Sequence, residues 1–177
     1  VYLVSRATHT SDVTIAGAAM IAEAVSSAIV KDDFEKVMED VFGIEEIGYG
    51  MGCETFSPRL GERLRIGLDI AESYKGDDEG FIHKLYDVVG TGVGIIESVP
   101  AALSVAYYAQ DPNLSCLLCA NMAGDTDTIG AMATAVCGAF TGMGRIKPEY
   151  IRTLRQQNDA DFDHYIRILE KGRERFA

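Results

Sequence analysis

Residues 124–130 read Gly-Asp-Thr-Asp-Thr-Ile-Gly, which places two carboxylates and two hydroxyls at four consecutive positions. A run of small and apolar residues follows directly. Carboxylate and hydroxyl groups near a core are costly unless something satisfies them. Oxygen atoms are the ligands that Mg²⁺ and Ca²⁺ prefer, so the cluster favours a site for a hard divalent cation.

A structural explanation of the same cluster stays open, because Asp and Thr are ordinary residues at the start of a helix. Thr126 and Asp127 would then only cap the helix that follows. Zinc is disfavoured. Cys116 and Cys119 have a suggestive spacing, but no second Cys pair or nearby His completes four ligands, so both are expected in the core.

The elements that must position this cluster are predicted to be helices. Residues 15–29 place apolar or small side chains at the i, i+3, i+4, i+7 spacing of one helical face, with Ser11 or Thr10 as the cap. Many of these residues are Ala, Ser or Gly, which lets neighbouring backbones approach closely. This helix is therefore predicted to be central.

The rest of the chain repeats the helical pattern, and no window shows the period-2 alternation of a half-buried strand. We predict an all-α, compact multi-helix bundle of about eight helices in a single domain over residues 1–177. Four glycines from Gly43 to Gly52 predict a loop, and Pro100 should kink a helix or open one. Besides the first helix, the predicted helices span residues 33–42, 58–74, 81–89, 95–109, 114–122, 129–140, 148–157 and 161–172. The helix over 129–140 is too apolar for a surface helix and is expected to be buried against the first.

Composition excludes several classes of protein. The chain has 177 residues, a net charge of −11 and 47% apolar residues. A strongly acidic chain repels a phosphate backbone, so non-specific nucleic-acid binding is not expected. No apolar stretch is long enough and free enough of polar residues to predict a membrane span. Four cysteines in apolar or Gly-rich surroundings predict a reduced, cytoplasmic protein.

Three stretches together resemble the ADP-ribosylglycohydrolase family, which includes dinitrogenase reductase-activating glycohydrolase. The first is Ser-Arg-Ala-Thr-His at residues 5–9. The second is Gly-Thr-Gly-Val at 90–93 followed by Glu-Ser-Val-Pro-Ala-Ala-Leu at 97–103. The third is Ala-Asn-Met-Ala-Gly-Asp-Thr-Asp-Thr-Ile at 120–129. Their order and spacing match, so the resemblance spans nearly the whole chain.

The resemblance implies an all-α fold with two Mg²⁺ ions in a central cleft. It implies that Asp125, Asp127 and Thr128 are metal ligands and that Asp125 and Asp127 are catalytic. His9 would contact the ADP-ribose ligand, and Gly92 and Val93 would line the adenosine end of the cleft. Residues 97–103 resemble a packing element with no assigned chemistry.

The activity implied is hydrolysis of the bond between C1 of the distal ribose and an acceptor, which is a protein side chain or a small molecule. The ions would orient the ribose hydroxyls and activate a water, while the carboxylates position that water or relay its proton. Acceptor specificity depends on loops around the cleft, and residues 43–57 are a candidate for one such loop.

The sequence departs from the family pattern in one respect. Family members carry upstream a Thr-Asp-Asp element with further metal ligands, an acidic residue suited to water activation and a Gly-Asn-Gly phosphate loop. None of these occurs here, and Asp32 and Asp33 lie in the wrong place to substitute. Together with the absent initiator Met, this predicts the C-terminal portion of a longer domain, completed by an N-terminal segment or a partner chain. Alone, the chain is expected to bind metal weakly and to be inactive.

Two other functions remain open. The chain could be a non-catalytic member of the same fold, with a structural or ADP-ribose-binding role, as a jellyfish lens crystallin that resembles these enzymes shows. It could also be a purely helical interaction module whose oxygen cluster is only a cap. Stabilisation by a metal ion would exclude the cap-only explanation, since a cap needs no ion.

Overall fold

The helices predicted from the sequence are present in the computed structural model, which describes residues 1–159 and 161–176. Within those residues there are ten α-helices, a 3₁₀ turn at Met143–Arg145 and no strand, which confirms the all-α prediction. The helices are α1 (Tyr2–Ser5), α2 (Asp12–Val30), α3 (Phe34–Tyr49), α4 (Leu60–Ser73), α5 (Asp78–Val88), α6 (Ile95–Ala109), α7 (Pro112–Asn121), α8 (Thr126–Thr141), α9 (Pro148–Gln157) and α10 (Phe162–Phe176).

Two compact units divide the chain. The first is Val1–Arg145 and contains α1 to α8, and the second begins at Ile146 and contains α9 and α10. In the second unit, α9 begins at Pro148, a residue whose fixed φ suits the first turn of a helix. The prediction of one domain over the whole chain stays a prediction.

Helix α2 lies at the centre of the first unit, as its small residues predict. It packs against α3 on one side and against α6 and α8 on the other. Ala16, Met20 and Ala24 are fully buried on it. A Cβ added to Gly17 would lie 2.7 Å from the Ile95 side chain, so only glycine lets α6 approach this closely.

The loop predicted from the glycines at 43–52 is wrong over most of its length, because α3 continues to Tyr49. Gly48 is buried where α3 crosses α2, and a Cβ there would lie 2.5 Å from the Ala16 Cα. This glycine serves helix packing rather than chain reversal. Only Gly50 and Gly52 lie beyond the helix, so a loop around the cleft can begin no earlier than Gly50.

Helix α6 tolerates an internal proline. It begins at Ile95, so Pro100 lies inside the helix and does not open it. The Ser104 hydroxyl donates to the Pro100 carbonyl oxygen at 2.7 Å and is itself fully buried. Gly67 of α4 lies against that hydroxyl, so α4 and α6 cross closely at this point.

Helix α8 packs against α2 as predicted, but it is buried on one side only, although its composition was judged too apolar for a surface helix. It packs against α2, α6 and α7, and its exposed side carries alanines, whose small apolar side chains leave little surface to hide. The buried side chains are Ile129, Ala133, Val136 and Cys137. The cysteine prediction is also partly wrong, because Cys119 is buried whereas Cys116 is exposed.

By length and composition alone, α2 is long and apolar enough to cross a membrane, so the expectation that no stretch of the sequence meets this criterion is wrong. The core helix of a soluble protein passes the same test, and 44% of the most apolar window of α2 is buried inside the fold. The helix also carries Asp12 and Glu23. The expectation that the chain has no membrane partner stays a prediction.

Candidate metal and ligand site

The start of α8 carries the acidic cluster. Asp125 is the N-cap residue, and Thr126, Asp127 and Thr128 form the first turn. Gly124 precedes them with a φ of +100°, a backbone region that residues with a side chain rarely adopt. The cluster therefore follows a turn that only glycine forms without strain.

The carboxyl groups of Asp125 and Asp127 lie within hydrogen-bonding reach of each other. That contact, together with the backbone amides of residues 127 and 128, lowers the pKa of Asp127. Two carboxylates this close repel each other unless a proton or a cation lies between them. The pair is thus a place where a bound cation would relieve an unfavourable interaction.

Capping alone does not account for this pair. The Asp125 side chain makes no capping hydrogen bond to α8, although it occupies the N-cap position. Its backbone amide instead donates to the Thr91 carbonyl oxygen at 2.7 Å. The Asp125 carboxylate therefore does not cap helix α8.

His9, Val93 and Thr128 line one groove of about 840 Å³ in the first unit, which we call the His9 groove. Three separate segments contribute these residues, as a ligand site built from distant parts of a sequence requires. The remaining wall is mostly small or apolar. Its residues are Thr14, Gly17, Ala18, Ile21, Ala22, Val25, Ile95, Ser98, Val99 and Met132.

The segment before α2 is held in place by backbone hydrogen bonds to Cys53. The Cys53 amide donates to the Thr10 carbonyl oxygen at 2.7 Å, and the Asp12 amide donates to the Cys53 carbonyl oxygen at 2.9 Å. Thr8 lies beside the His9 ring, with its hydroxyl oxygen 2.9 Å from Nδ1. The backbone that follows His9 is therefore held in place by Cys53.

Asp12, at the first position of α2, is a buried carboxylate that the sequence analysis did not single out. Burial raises its pKa, but hydrogen bonds from the Thr55 hydroxyl and from backbone amides, including that of Val13, outweigh this and lower it. Asp12 is thus held in its charged form by groups within the fold. Its role is to fix the start of α2 beside His9.

Val93 and Gly92, adjacent residues of one turn, make different contacts. Val93 is 84% exposed at the edge of the His9 groove. The Gly92 amide donates to Glu97 Oε2 at 2.8 Å, and Gly92 is not among the residues that line the groove. The turn therefore presents the Val93 side chain to the groove, while Glu97 fixes the backbone at Gly92.

Asp127 lines a different depression, of about 400 Å³, between α7 and α8. Cys116, Cys119, Thr126 and Thr134 are among its other lining residues. Thr128 is thus the predicted metal ligand that lines the His9 groove, whereas Asp127 lines the depression between α7 and α8 and Asp125 lines neither. The structure brings His9, Val93 and Thr128 to one groove and does not bring the carboxyl pair into it.

Two further residues shape the site, and both lie in the stretches that carry the family resemblance, although neither was assigned a role from the sequence. Thr91 is 2% exposed, and its hydroxyl donates to the Ala123 carbonyl oxygen at 2.6 Å. Glu97 accepts the Gly92 amide. Its position three residues after the N-cap Gly94 resembles the spacing of a capping box, which was a usable signal. Thr91 gave no signal beyond lying between two glycines in a stretch that carries the family resemblance.

The donor chemistry of the cluster fits a hard cation, because all its side-chain donors are carboxylate or hydroxyl oxygens. Among residues 1–159 and 161–176, no group of three or more His, Cys, Asp or Glu side chains could hold a metal ion. Asp125, Asp127 and the hydroxyl of Thr128 would therefore supply only part of the ligands of a metal ion.

The chain is similar to known proteins along nearly its whole length. The family profile described as ADP-ribosylglycohydrolase matches residues 1–175. An uncharacterized protein of Escherichia coli (strain K12), YegU, is 43% identical over 175 residues, which cover 98% of this chain and 52% of that protein. An uncharacterized protein of Archaeoglobus fulgidus is 28% identical over 159 residues, which cover 89% of this chain and 45% of that protein.

The chain spans about half the length of the curated relatives that it matches. No solved structure matches it significantly. The match to the family covers nearly every residue, including the three segments that form the His9 groove and the acidic cluster. The chain belongs to the ADP-ribosylglycohydrolase family.

Proposed function

We propose that the chain carries the acidic part of a Mg²⁺-dependent hydrolase that cleaves the bond between ADP-ribose and an acceptor. The acceptor is a protein side chain or a small molecule. The observation that carries the proposal is the carboxyl pair at the start of α8, where Asp125 caps nothing and lies against Asp127. Membership of the family supports the reaction class.

Asp125, Asp127 and Thr128 would hold Mg²⁺, with two ions expected when the ligand set is complete. The bound metal would orient the ribose hydroxyls and lower the pKa of the attacking water. One of the two carboxylates would position that water and accept its proton at a carboxylate oxygen. The water oxygen would bond to C1 as the bond from C1 to the acceptor breaks, and the proton would pass from the carboxylate to the departing acceptor, so no covalent bond between the protein and the sugar is needed.

The His9 groove is proposed to take the ADP-ribose. The His9 ring offers a hydrogen bond at one end, and the exposed Val93 side chain offers an apolar contact for a base or a ribose. The Thr128 hydroxyl faces the groove and is adjacent in the chain to Asp127, so it would join the metal to the ligand. Small residues of α2, such as Ala18 and Ala22, leave room for a bulky ligand.

An anionic ligand in the groove would be bound through a cation and helix N-termini rather than through basic side chains. Among the described residues that line the groove there is no Lys or Arg. Thr14, Ile95 and Thr128 belong to the first turns of α2, α6 and α8, whose N-termini carry partial positive charge. A diphosphate could therefore be neutralised without basic side chains.

The first test is metal binding by this chain. Mn²⁺, a paramagnetic ion with ligand preferences like those of Mg²⁺, is titrated while amide signals are followed by NMR. Selective broadening at residues 125–128 is expected, and Mg²⁺ should compete it away. Asp127→Ala should abolish the effect, whereas Asp87→Ala, which removes an exposed charge on α5, should leave it unchanged. Equal broadening in both variants would exclude the site.

The second test is hydrolysis. A polypeptide extended to the length of the relatives is incubated with ADP-ribosylated arginine and serine peptides and with O-acetyl-ADP-ribose, with and without Mg²⁺. Release of ADP-ribose that requires Mg²⁺ and Asp127 is expected, while the 177-residue chain alone should be inactive. Specific Mn²⁺ and ADP-ribose binding without turnover on any of these substrates would favour a non-catalytic, ADP-ribose-binding member of the family.

A further inference from the structure

We propose that Thr91 is a positioning residue that holds the turn at Gly92 and Val93 and the acidic start of α8 as one rigid unit. The consequence for metal and ligand binding rests on the proposed function, whereas the positioning itself does not. Thr91 is a polar residue that is almost completely buried, at 2% exposure, in a loop between two glycines. Such burial requires that its polar groups be satisfied within the fold.

The contacts of Thr91 run to both sides of Gly124. Its hydroxyl donates to the Ala123 carbonyl oxygen at 2.6 Å. Its carbonyl oxygen accepts the Asp125 amide at 2.7 Å. One residue therefore binds the chain immediately before and immediately after the turn that starts α8.

Gly124 leaves no space between these two contacts. A Cβ at this residue would collide with the carbonyl and hydroxyl oxygens of Thr91, and the backbone has a φ of +100°. The two loops are thus packed backbone against backbone. Neither can shift without displacing the other.

The other side of the turn is tied to α6. The Gly92 amide donates to Glu97 Oε2 at 2.8 Å. Cβ atoms on Gly90 and Gly92 would lie 2.6 and 2.8 Å from the Glu97 carboxylate, so that side chain fills the concave face of the turn. Glu97 of α6 binds Gly92, and the adjacent Thr91 binds the residues on both sides of Gly124. The turn therefore connects α6 to the start of α8.

This arrangement couples the two halves of the candidate site. Val93 projects into the His9 groove one residue beyond Gly92, while Asp125 begins the acidic cluster one residue beyond Gly124. Metal and ligand groups must be held within about 0.5 Å of their productive geometry by supporting residues. Thr91 supplies that support from outside the groove, since it touches neither the groove nor the depression beside Asp127.

The experiment compares Thr91→Val, which replaces the hydroxyl by a methyl group, with Thr91→Ser, which keeps the hydroxyl. Hydrogen exchange is measured at the Asp125 and Gly92 amides. In Thr91→Val we expect exchange at both amides to accelerate about tenfold, because the loss of one hydrogen bond loosens both loops. In Thr91→Ser exchange should stay close to that of the original chain.

Controls separate positioning from a general loss of stability. Thr141→Val removes a hydroxyl that donates to the Cys137 carbonyl oxygen at 2.9 Å at the far end of α8, and it should not change exchange at Asp125 or Gly92. If Thr91→Val fails to fold, Glu97→Ala, which removes the acceptor of the Gly92 amide, tests the same coupling from the other side. It should accelerate exchange at Asp125 as well as at Gly92.

The proposal is overturned if Thr91→Val changes exchange at Asp125 without changing it at Gly92, or if Thr91→Ser behaves like Thr91→Val. Mn²⁺ titration then tests the functional consequence, with about tenfold weaker binding expected for Thr91→Val and rescue by Thr91→Ser. Coupled exchange without Mn²⁺ binding in the original chain would contradict the metal site and leave the role of Thr91 standing.

Discussion

Helices α7 and α8 pack against each other and both begin after an aspartate, but the two aspartates are used differently. Asp111 accepts the amides of Asn113 and Leu114 at 2.9 and 3.0 Å and the Arg145 Nε at 2.7 Å. Asp125 occupies the same position and makes no capping bond. An aspartate bonded on all sides stabilises the fold, whereas one left beside a second carboxylate is available to a ligand.

The difference is possible because α8 does not depend on Asp125 for its start. The Thr91 carbonyl oxygen and the glycine turn at Gly124 fix the backbone there. At α7, by contrast, the side chain of Asp111 and Pro112 at the first helical position begin the helix. Changes at the two helix starts should therefore have opposite effects on stability and on metal binding.

The largest effect is expected from Gly124→Ala, which forces a side chain into the backbone of Thr91 at a positive φ. We expect a loss of about 3 kcal/mol in the free energy of unfolding, from backbone strain and overpacking together. Urea unfolding followed by circular dichroism measures it. Gly138→Ala on the same helix has open space at its Cβ and should be neutral or stabilising by up to about 1 kcal/mol. Equal effects of the two variants would contradict the close contact with Thr91.

Asp111→Ala should have the next largest effect. It removes an N-cap, at about 1 kcal/mol, and a charge-assisted hydrogen bond from Arg145 of similar or larger strength. A loss of about 2 kcal/mol is expected in the same unfolding experiment, with Mn²⁺ binding at residues 125–128 unchanged. A loss of Mn²⁺ binding in this variant would show that the two helix starts are not independent.

Lowering the pH should remove part of the stabilisation that Asp111 contributes, because its carboxylate becomes protonated. Burial raises the pKa of Asp111, but the Arg145 guanidinium and the amide donors of α7 outweigh it and lower the pKa to about 2, from an ordinary value of 3.8. Because the folded pKa is depressed, the stabilisation is complete above about pH 4 and disappears as the pH falls towards 2. It amounts to at most about 2 kcal/mol.

Asp111→Asn is the reference for this measurement, since an amide does not titrate in that range. The difference in unfolding free energy between the original chain and Asp111→Asn should shrink between pH 4 and pH 2. Other carboxylates titrate in both proteins and cancel in the difference. A difference that stays constant over this range would contradict the depressed pKa.

Sequence periodicity was sufficient to predict α2 to α8, since each buries one face whose spacing is visible in the residues, whereas α1 buries none of its residues and was not predicted. The prediction failed at some glycines, because glycine occurs both at close helix crossings and at chain reversals. Gly48 lies inside α3 because α2 approaches its backbone, whereas Gly124 lies in a turn because its φ is positive. The letter alone does not distinguish a close helix crossing from a chain reversal.

The site was predictable only in part for a related reason. The oxygen cluster was visible as a local pattern, and the resemblance to the family indicated His9 and Val93. Thr91 and Asp12 were missed because their contacts join residues that are distant in sequence, such as Thr91 with Ala123 and Asp12 with Thr55. Their importance comes from what lies opposite them in the folded chain.

The smallest expected effect on stability decides whether the comparison of the two helix starts is right. Asp125→Ala removes no capping bond and loses only the contact with Asp127, so the free energy of unfolding without metal should change by no more than about 0.5 kcal/mol. The same variant should abolish Mn²⁺ broadening at residues 126–128, because one of the two carboxylate ligands is gone. Asp111→Ala has the opposite profile, with lower stability and normal metal binding. If Asp125→Ala were instead destabilised by as much as Asp111→Ala, Asp125 would be a structural cap like its neighbour, and the carboxyl pair would no longer support a metal site.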